Sequence, residues 1–281
     1  MKLYTIETGY FKLDGGAMFG VVPKVLWSRT NPPDKNNLCS WAMRSLLIED
    51  GKKLILIDNG IGDKQDDKFF RHYYLHGDVS LLSSLRKHGF SPDDITDVIL
   101  THLHFDHCGG SVSWNKERTG FQMTFKNAKY WSNKTHWDWA LYPNNREKAS
   151  FLRENILPIQ ESGQLYFIDQ DGEDILSDNL NVIFVNGHTE GQMIPHIKYK
   201  GTTIVFAADL LPSTGHIPLP YVMGYDTKPL VTLQEKEIFL NKAVNDEYII
   251  YLQHDNYNEC CNLKRTDKGV RLDSVFKLSD L

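Results

Sequence analysis

The stretch THLHFDHCGG, residues 101–110, sets His102, His104, Asp106 and His107 within six positions of one another. Imidazole nitrogen and carboxylate oxygen form the donor set of zinc and related first-row ions, and no thiolate is needed to complete it. His102 and His104 alternate along an extended chain and so share a face. Asp106 and His107 then turn back from the loop that follows, and two metal subsites side by side are the expected result. The helical HExxH signature, with histidines at i and i+4, is a different solution to the same problem.

Such a cluster has to be delivered by ordered elements. WAMRSLLIEDGKKLILIDNG (41–60) reads as two apolar strands joined by a turn at Asp50–Gly51, with Asp58 at the end of the second. VSLLSSLRKHGF (79–90) has helical leucine spacing and stops at Gly89, and the β-branched run ITDVILTH (95–102) carries His102 at its C-terminal end. The second half repeats this order. LNVIFVNGH (180–188) is a strand ending in His188, IPHIKYKGTTIVFAAD (194–209) is a hairpin turning at Lys200–Gly201 and ending at Asp209, and YIIYLQHD leads to His254. A helix over TLQEKEIFLNKAV (232–244) is expected to open with a capping box from Thr232 to Glu235. Strand, helix, strand order predicts α/β layering. Residues 113–145 hold four of the six tryptophans. We read residues 1–281 as one domain of two similar halves with a helical, aromatic-rich insertion around 113–160, which packs in the core, roofs a site or makes a dimer contact.

With 281 residues, 41% of them hydrophobic and 24% charged, the chain has the composition of a folded globular protein, not of a disordered or fibrous one. A net charge of −5 gives no long-range attraction for nucleic acid or anionic lipid, so a small-molecule substrate is expected, with neither nucleic acid nor membrane as partner. No apolar run reaches signal-peptide or membrane-span length, and the four cysteines form no disulfide framework. These features predict a soluble cytoplasmic protein; a homodimer is an open option.

THLHFDH resembles the HxHxDH motif of the metallo-β-lactamase superfamily, and three further segments occur in that family's order. VNGHTEGQ resembles its GHTxGx segment, VFAADLL the strand ending in its bridging aspartate, and YLQHD supplies the last histidine. The resemblance runs from about residue 40 to residue 255 and implies a four-layer αββα sandwich, an α/β fold of two similar halves. It also implies a metal-dependent hydrolase with two divalent ions, zinc foremost and manganese, iron or cobalt as alternatives, sharing a bridging hydroxide. One ion would take His102, His104 and His188, the other Asp106, His107 and His254, with Asp209 between them. Asp58 is a candidate acceptor for a ligand imidazole N–H.

Within the superfamily the spelling HLHFDHCGG is most similar to the branch of N-acyl-homoserine lactone lactonases and organophosphate hydrolases. LDGGAMFGVVPKVLW (13–27) resembles that branch's glycine-rich segment beside the active-site mouth, which makes Met18 and Phe19 candidate acyl contacts. The implied reaction is a quorum-quenching lactonase or esterase reaction, with Asp106 as proton shuttle and Asp209 in the catalytic set. Lactonases of the branch carry a tyrosine three residues after the bridging aspartate; here that position is Pro212. His216 and Tyr221, on the following loop, are candidates to bind substrate in its place, His216 also as an oxyanion-stabilising group. The alternatives are a phosphodiester or phosphotriester hydrolase and a non-catalytic metal-containing ligand-binding protein. His72, His76, His88, His136 and His196 read as ordinary surface or core residues.

Overall fold

The computed structural model describes residues 1–171 and 176–281. They fall into two compact units, residues 1–10 with 43–170 and residues 11–42 with 171–281.

The first sheet has six strands. β1 (Lys2–Asp14) and β2 (Leu38–Asp50) are followed by β3 (Lys53–Ile57) and β4 (Asp97–Ile99). A separate hairpin, β5 (Val112–Trp114) with β6 (Phe121–Met123), precedes β7 (Lys129–Ser132) and β8 (Leu165–Phe167). The sheet order is β1-β2-β3-β4-β7-β8, in which β2 and β3 pair antiparallel and β3, β4, β7 and β8 run parallel. The second sheet is built from β9 (Leu180–Val185), β10 (Gln192–Tyr199), β11 (Thr202–Phe206), β12 (Ile249–Tyr251), β13 (Cys260–Thr266) and β14 (Gly269–Phe276), each beside its neighbour in sequence. Here β10 and β11 form the antiparallel hairpin and β12 runs parallel to β11. Both units therefore contain a hairpin, a helical connection and a parallel strand, and the parallel strands end just before Asp58, Thr101, Asp209 and His254.

Eight α-helices accompany the sheets among the described residues: α1 (Gly15–Phe19), α2 (Lys24–Trp27), α3 (Asp67–Arg71), α4 (Leu81–Lys87), α5 (Phe105–Cys108), α6 (Lys134–Leu141), α7 (Arg153–Glu161) and α8 (Pro229–Asn245). α4 begins where Ser80 and Ser83 cap each other, side chain to backbone at 3.2 and 2.9 Å, and it ends before Gly89, whose φ of +84° suits only glycine. The capping box expected at Thr232 and Glu235 does not form. Pro229 takes the first helical position of α8, three residues earlier, and the Glu235 carboxylate accepts the N–H groups of Asn186 and Gly187 at 2.7 and 3.0 Å. The aromatic-rich stretch is helical only from Lys134. Before that, Trp114 and Phe121 face each other across the β5–β6 hairpin, with ring centroids 4.6 Å apart.

The core of the first unit gathers Ile6, Leu47, Leu56, Val98, Tyr130 and Ile156. Each large apolar side chain so buried contributes about 1.5–3 kcal/mol. In the second unit α1 and α2 are packed in. Phe19 stacks on Trp27 with centroids 5.2 Å apart, and a Cβ at Gly15 would lie 2.3 Å from the Trp27 ring. Gly20 has φ +56° and would place a Cβ 2.8 Å from the Val222 carbonyl oxygen, whereas Gly51 has φ +61° with open space around it. Gly51→Ala should cost about 1 kcal/mol for backbone conformation alone. Gly20→Ala should cost about 2–4 kcal/mol, because the clash adds to the same strain. Urea denaturation of both variants measures the difference, and equal losses would mean that the 222–224 segment yields freely.

Candidate metal centre

In the first unit β3 ends at Asp58, a wholly buried residue with φ +56°. Its carboxylate accepts three bonds: Thr101 N–H at 2.8 Å, the Thr101 hydroxyl at 2.8 Å and His107 Nδ1–H at 2.9 Å. Because the Thr101 hydroxyl donates to Asp58, its oxygen accepts from His102 Nδ1, 3.2 Å away. His104 is tied differently: its Nε2 lies 3.3 Å from Glu147 Oε2, and Glu147 is held by Asn144 Nδ2 at 2.7 Å and by the Trp139 indole N–H. The backbone of the HLHF segment is pinned as well. Leu103 N–H donates to His136 Nε2 at 2.8 Å and Phe105 N–H to the Ser150 carbonyl at 2.9 Å.

These bonds leave Nε2 of His102, Nδ1 of His104 and Nε2 of His107 as the nitrogens a cation would take. A ligand atom of His102 lies within 4.8 Å of one of His104, and the same holds for Asp106 and His107.

The second unit supplies His188, Asp209 and His254. Gly187 permits the close approach that places His188, since a Cβ there would stand 2.3 Å from the α8 backbone at Thr232. His188 Nδ1–H donates to Asp226 Oδ1 at 2.9 Å, and its Nε2 is 3.1 Å from Asp209 Oδ2. His254 Nδ1–H donates to the Ala42 carbonyl at 2.7 Å, and its Nε2 is 3.0 Å from Asp209 Oδ1. Asp209 thus divides its two oxygens between two imidazoles. Ala208 before it adopts φ +42°, a left-handed conformation that costs a β-carbon residue roughly 1–2 kcal/mol and sets the direction of the aspartate. Burial alone would disfavour the His188 cation. The Asp209 and Asp226 carboxylates outweigh it and draw the imidazole up to about 10.

This donor set fits divalent metal. Each of these five imidazoles has one nitrogen fixed by an oxygen, the arrangement that orients metal-bound histidine. Asp58 does what the sequence suggested. Thr101, Glu147 and Asp226 were not singled out, although Thr101 lies inside the quoted motif. His136 is the satisfied core histidine it was read as.

Three other expectations meet a different placement. His216 has both ring nitrogens engaged: Nδ1 with the Ser213 hydroxyl at 2.8 Å and Nε2–H with the Met18 carbonyl at 2.9 Å. The ring stacks on Phe19 at 4.3 Å, and burial pushes its pKa down to about 3. It is neutral and has no N–H left for a substrate oxygen. Met18 and Phe19 are 2% and 0% exposed and lie in the core of the second unit rather than on a surface, because the glycines around them let α1 pack inward. Tyr221 is half-buried, its backbone carbonyl held by Lys236 Nζ at 2.8 Å.

Residues 44–254 match the model of the metallo-beta-lactamase superfamily. An N-acyl homoserine lactonase of Bacillus thuringiensis is 24% identical over 267 residues, 90% of this chain and 93% of that protein. Among solved structures, one described as a "probable metal-dependent hydrolase from Staphylococcus aureus" is 28% identical with a TM-score of 0.88, covering 98% of this chain and 96% of that one. AidC, described as a dizinc quorum-quenching lactonase, superposes with a TM-score of 0.77 at 24% identity over 98% of this chain and 95% of its own. The family match spans the strand ends and all seven candidate ligands, and the chain belongs to the metallo-β-lactamase superfamily and has its fold.

Proposed function

We propose that this superfamily hydrolase opens lactones or carboxylic esters, N-acyl-homoserine lactones foremost, at a centre of two divalent ions, zinc before manganese, iron or cobalt. The observation that carries the reading is Asp209, whose two carboxylate oxygens each face a different imidazole held from behind. A carboxylate so divided suits a bridge. We assign His102, His104 and His188 to one ion, Asp106, His107 and His254 to the other, and Asp209 to both. The names of the curated relatives support the lactone preference.

Two divalent ions, when bound, supply an acidified water and polarise an ester carbonyl. The chain's own residues do the rest. Asp106 takes the proton of the attacking water and returns it to the leaving alkoxide. Asp58, Glu147 and Asp226 keep three imidazoles in one tautomer and raise their basicity. His216 holds Met18 and Phe19 against the loop that follows Asp209, and Tyr221 is the remaining candidate on that loop for contact with the carbonyl oxygen. Pro212, where lactonases of the branch have tyrosine, favours a second reading in which the same centre cleaves phosphodiesters or phosphotriesters.

The zinc- or manganese-loaded protein, assayed on an acyl-homoserine lactone series beside aryl phosphodiesters and phosphotriesters, decides between them. Chelator-sensitive lactone opening with a chain-length preference is the expected outcome. Phosphoester turnover with inert lactones would put the second reading first. Asp209→Ala should lose both metals by elemental analysis, and a variant that keeps two per chain would refute the bridge. Asp226→Asn and Glu147→Gln should fold and weaken metal binding by about 10–100-fold in chelator competition; unchanged affinity would reduce both residues to structural supports.

A further inference from the structure

Lys64 is a buried cation that the proposed reaction leaves unused. It is 5% exposed, and among the described residues no carboxylate pairs with its ammonium, whose hydrogen bond goes to the Gly109 carbonyl. Burial lowers its pKa to about 8, so the side chain is still largely a cation at neutral pH. An ammonium taken out of water without a counter-ion is costly, and a charge kept at that cost is a candidate for a role beyond packing. What it holds is the end of the metal-ligating turn. α5 carries Asp106 and His107, and Gly109 is its C-cap. Residues 59–64 run beside this turn: the Asn59 N–H donates to the His107 carbonyl at 2.9 Å, and the Gly110 N–H donates to the Gly60 carbonyl at 3.0 Å. The approach is so close that a Cβ at Gly109 would lie 2.1 Å from the Ile61 carbonyl oxygen, and one at Gly62 would lie 2.6 Å from that of Gly109. Lys64 is itself tied down, because its carbonyl accepts the Trp114 indole N–H at 3.0 Å.

We propose that Lys64 is a positioning residue for one metal subsite: it clamps the C-terminal end of α5 so that Asp106 and His107 meet the ion assigned to them. Asp58 orients the His107 ring, and the clamp fixes the backbone from which both ligands project. A charged donor makes a hydrogen bond roughly twice as strong as a neutral one, which is what lysine adds over a neutral side chain of similar length. The effect is confined to one ion, because His102 and His104 precede α5 and have their own supports. Thr101 and Glu147 hold their rings, and the N–H groups of Leu103 and Phe105 anchor their backbone to His136 and Ser150. The inference rests on the two-ion reading of the site.

Cadmium-113 NMR of the full-length protein loaded with cadmium reads the two subsites separately, through the coupling of each resonance to the ring protons of its histidines. The wild type should give two resonances, one coupled to His107 and the other to His104. In Lys64→Met the His107-coupled resonance should broaden or vanish. Chelator competition should then show that ion weakened about 10–100-fold and the other changed by less than about threefold. Lys64→Arg, which keeps the charge and the donors, should restore the lost resonance. Trp114→Phe removes the bond to the Lys64 carbonyl and should weaken the same ion by a smaller factor; it decides if Lys64→Met does not fold. Equal weakening of both ions, an unchanged His107-coupled ion, or no recovery in Lys64→Arg would each overturn the proposal. A wild type with a single resonance would overturn the two-ion reading and this inference with it, whereas two resonances in the wild type and the same two in Lys64→Met would overturn the inference alone. None of these readouts depends on turnover, so an inert lactone series leaves them intact.

Discussion

In the first unit, the placement of Thr101, His102 and His107 depends on one buried carboxylate. Asp58 is removed from water entirely, and such a charge persists in a protein interior only if hydrogen bonds replace its hydration. The three donors that replace it come from two residues, Thr101 and His107, on either side of His102 and His104. The constraint therefore fixes the end of β3, the end of β4 and the first turn of α5 at once. A carboxylate held by a single donor would permit the His107 ring to rotate. Here the ring orientation, the Thr101 rotamer and, through it, the His102 tautomer are consequences of one desolvated charge.

The same logic recurs with different partners. His188 is backed by Asp226 and His104 by Glu147, whereas His254 is backed by a backbone carbonyl, that of Ala42. A carboxylate behind an imidazole offsets part of the positive charge a metal induces on the ring, and a neutral carbonyl does so less. The imidazoles assigned to one ion include two with carboxylate support. Those assigned to the other draw on Asp58 for His107 and on a carbonyl for His254. On the proposed assignment, the imidazoles that would hold the two ions thus differ in the groups that back them.

The legible part of this arrangement was the local part. HxHxDH, the GHT segment and the strand-ending aspartates have their chemistry within a few residues, and hydrophobic alternation placed the strands that carry them. Asp58 was readable because a strand end is a place with a meaning. Glu147 and Asp226 were not, since LYPNNREK and VMGYDTKP are ordinary loop compositions whose carboxylates gain a role only from tertiary contact. The glycines at 15 and 20 carried an ambiguous signal. They permit close approach, but the sequence does not say to what, and in the structure they let α1 pack Met18 and Phe19 inward. Thr232 and Glu235 had cap spacing, yet Pro229 is the stronger start because its ring sets φ in advance.

Pro212 shows how a departure from a family pattern is absorbed. A tyrosine there brings a hydroxyl; proline brings none, but its carbonyl accepts the His254 backbone N–H at 3.1 Å, so the position still secures a candidate ligand. The loop beyond it is anchored three times within the second unit: Thr214 to Asp255 through backbone and hydroxyl, His216 to Met18, and the carbonyls of Pro218, Leu219 and Tyr221 to the buried Lys236 ammonium. A loop so held has few ways to bring a new group to the substrate by moving. Any replacement for the missing hydroxyl must already stand in place, and of the polar side chains this loop offers, His216 is spent on its own scaffold. On the proposed lactonase reading, carbonyl recognition would fall on Tyr221 or on the metals alone, and a centre that relied on its metals alone would discriminate poorly between carbon and phosphorus esters, because both present an oxygen to polarise and a leaving oxyanion to neutralise.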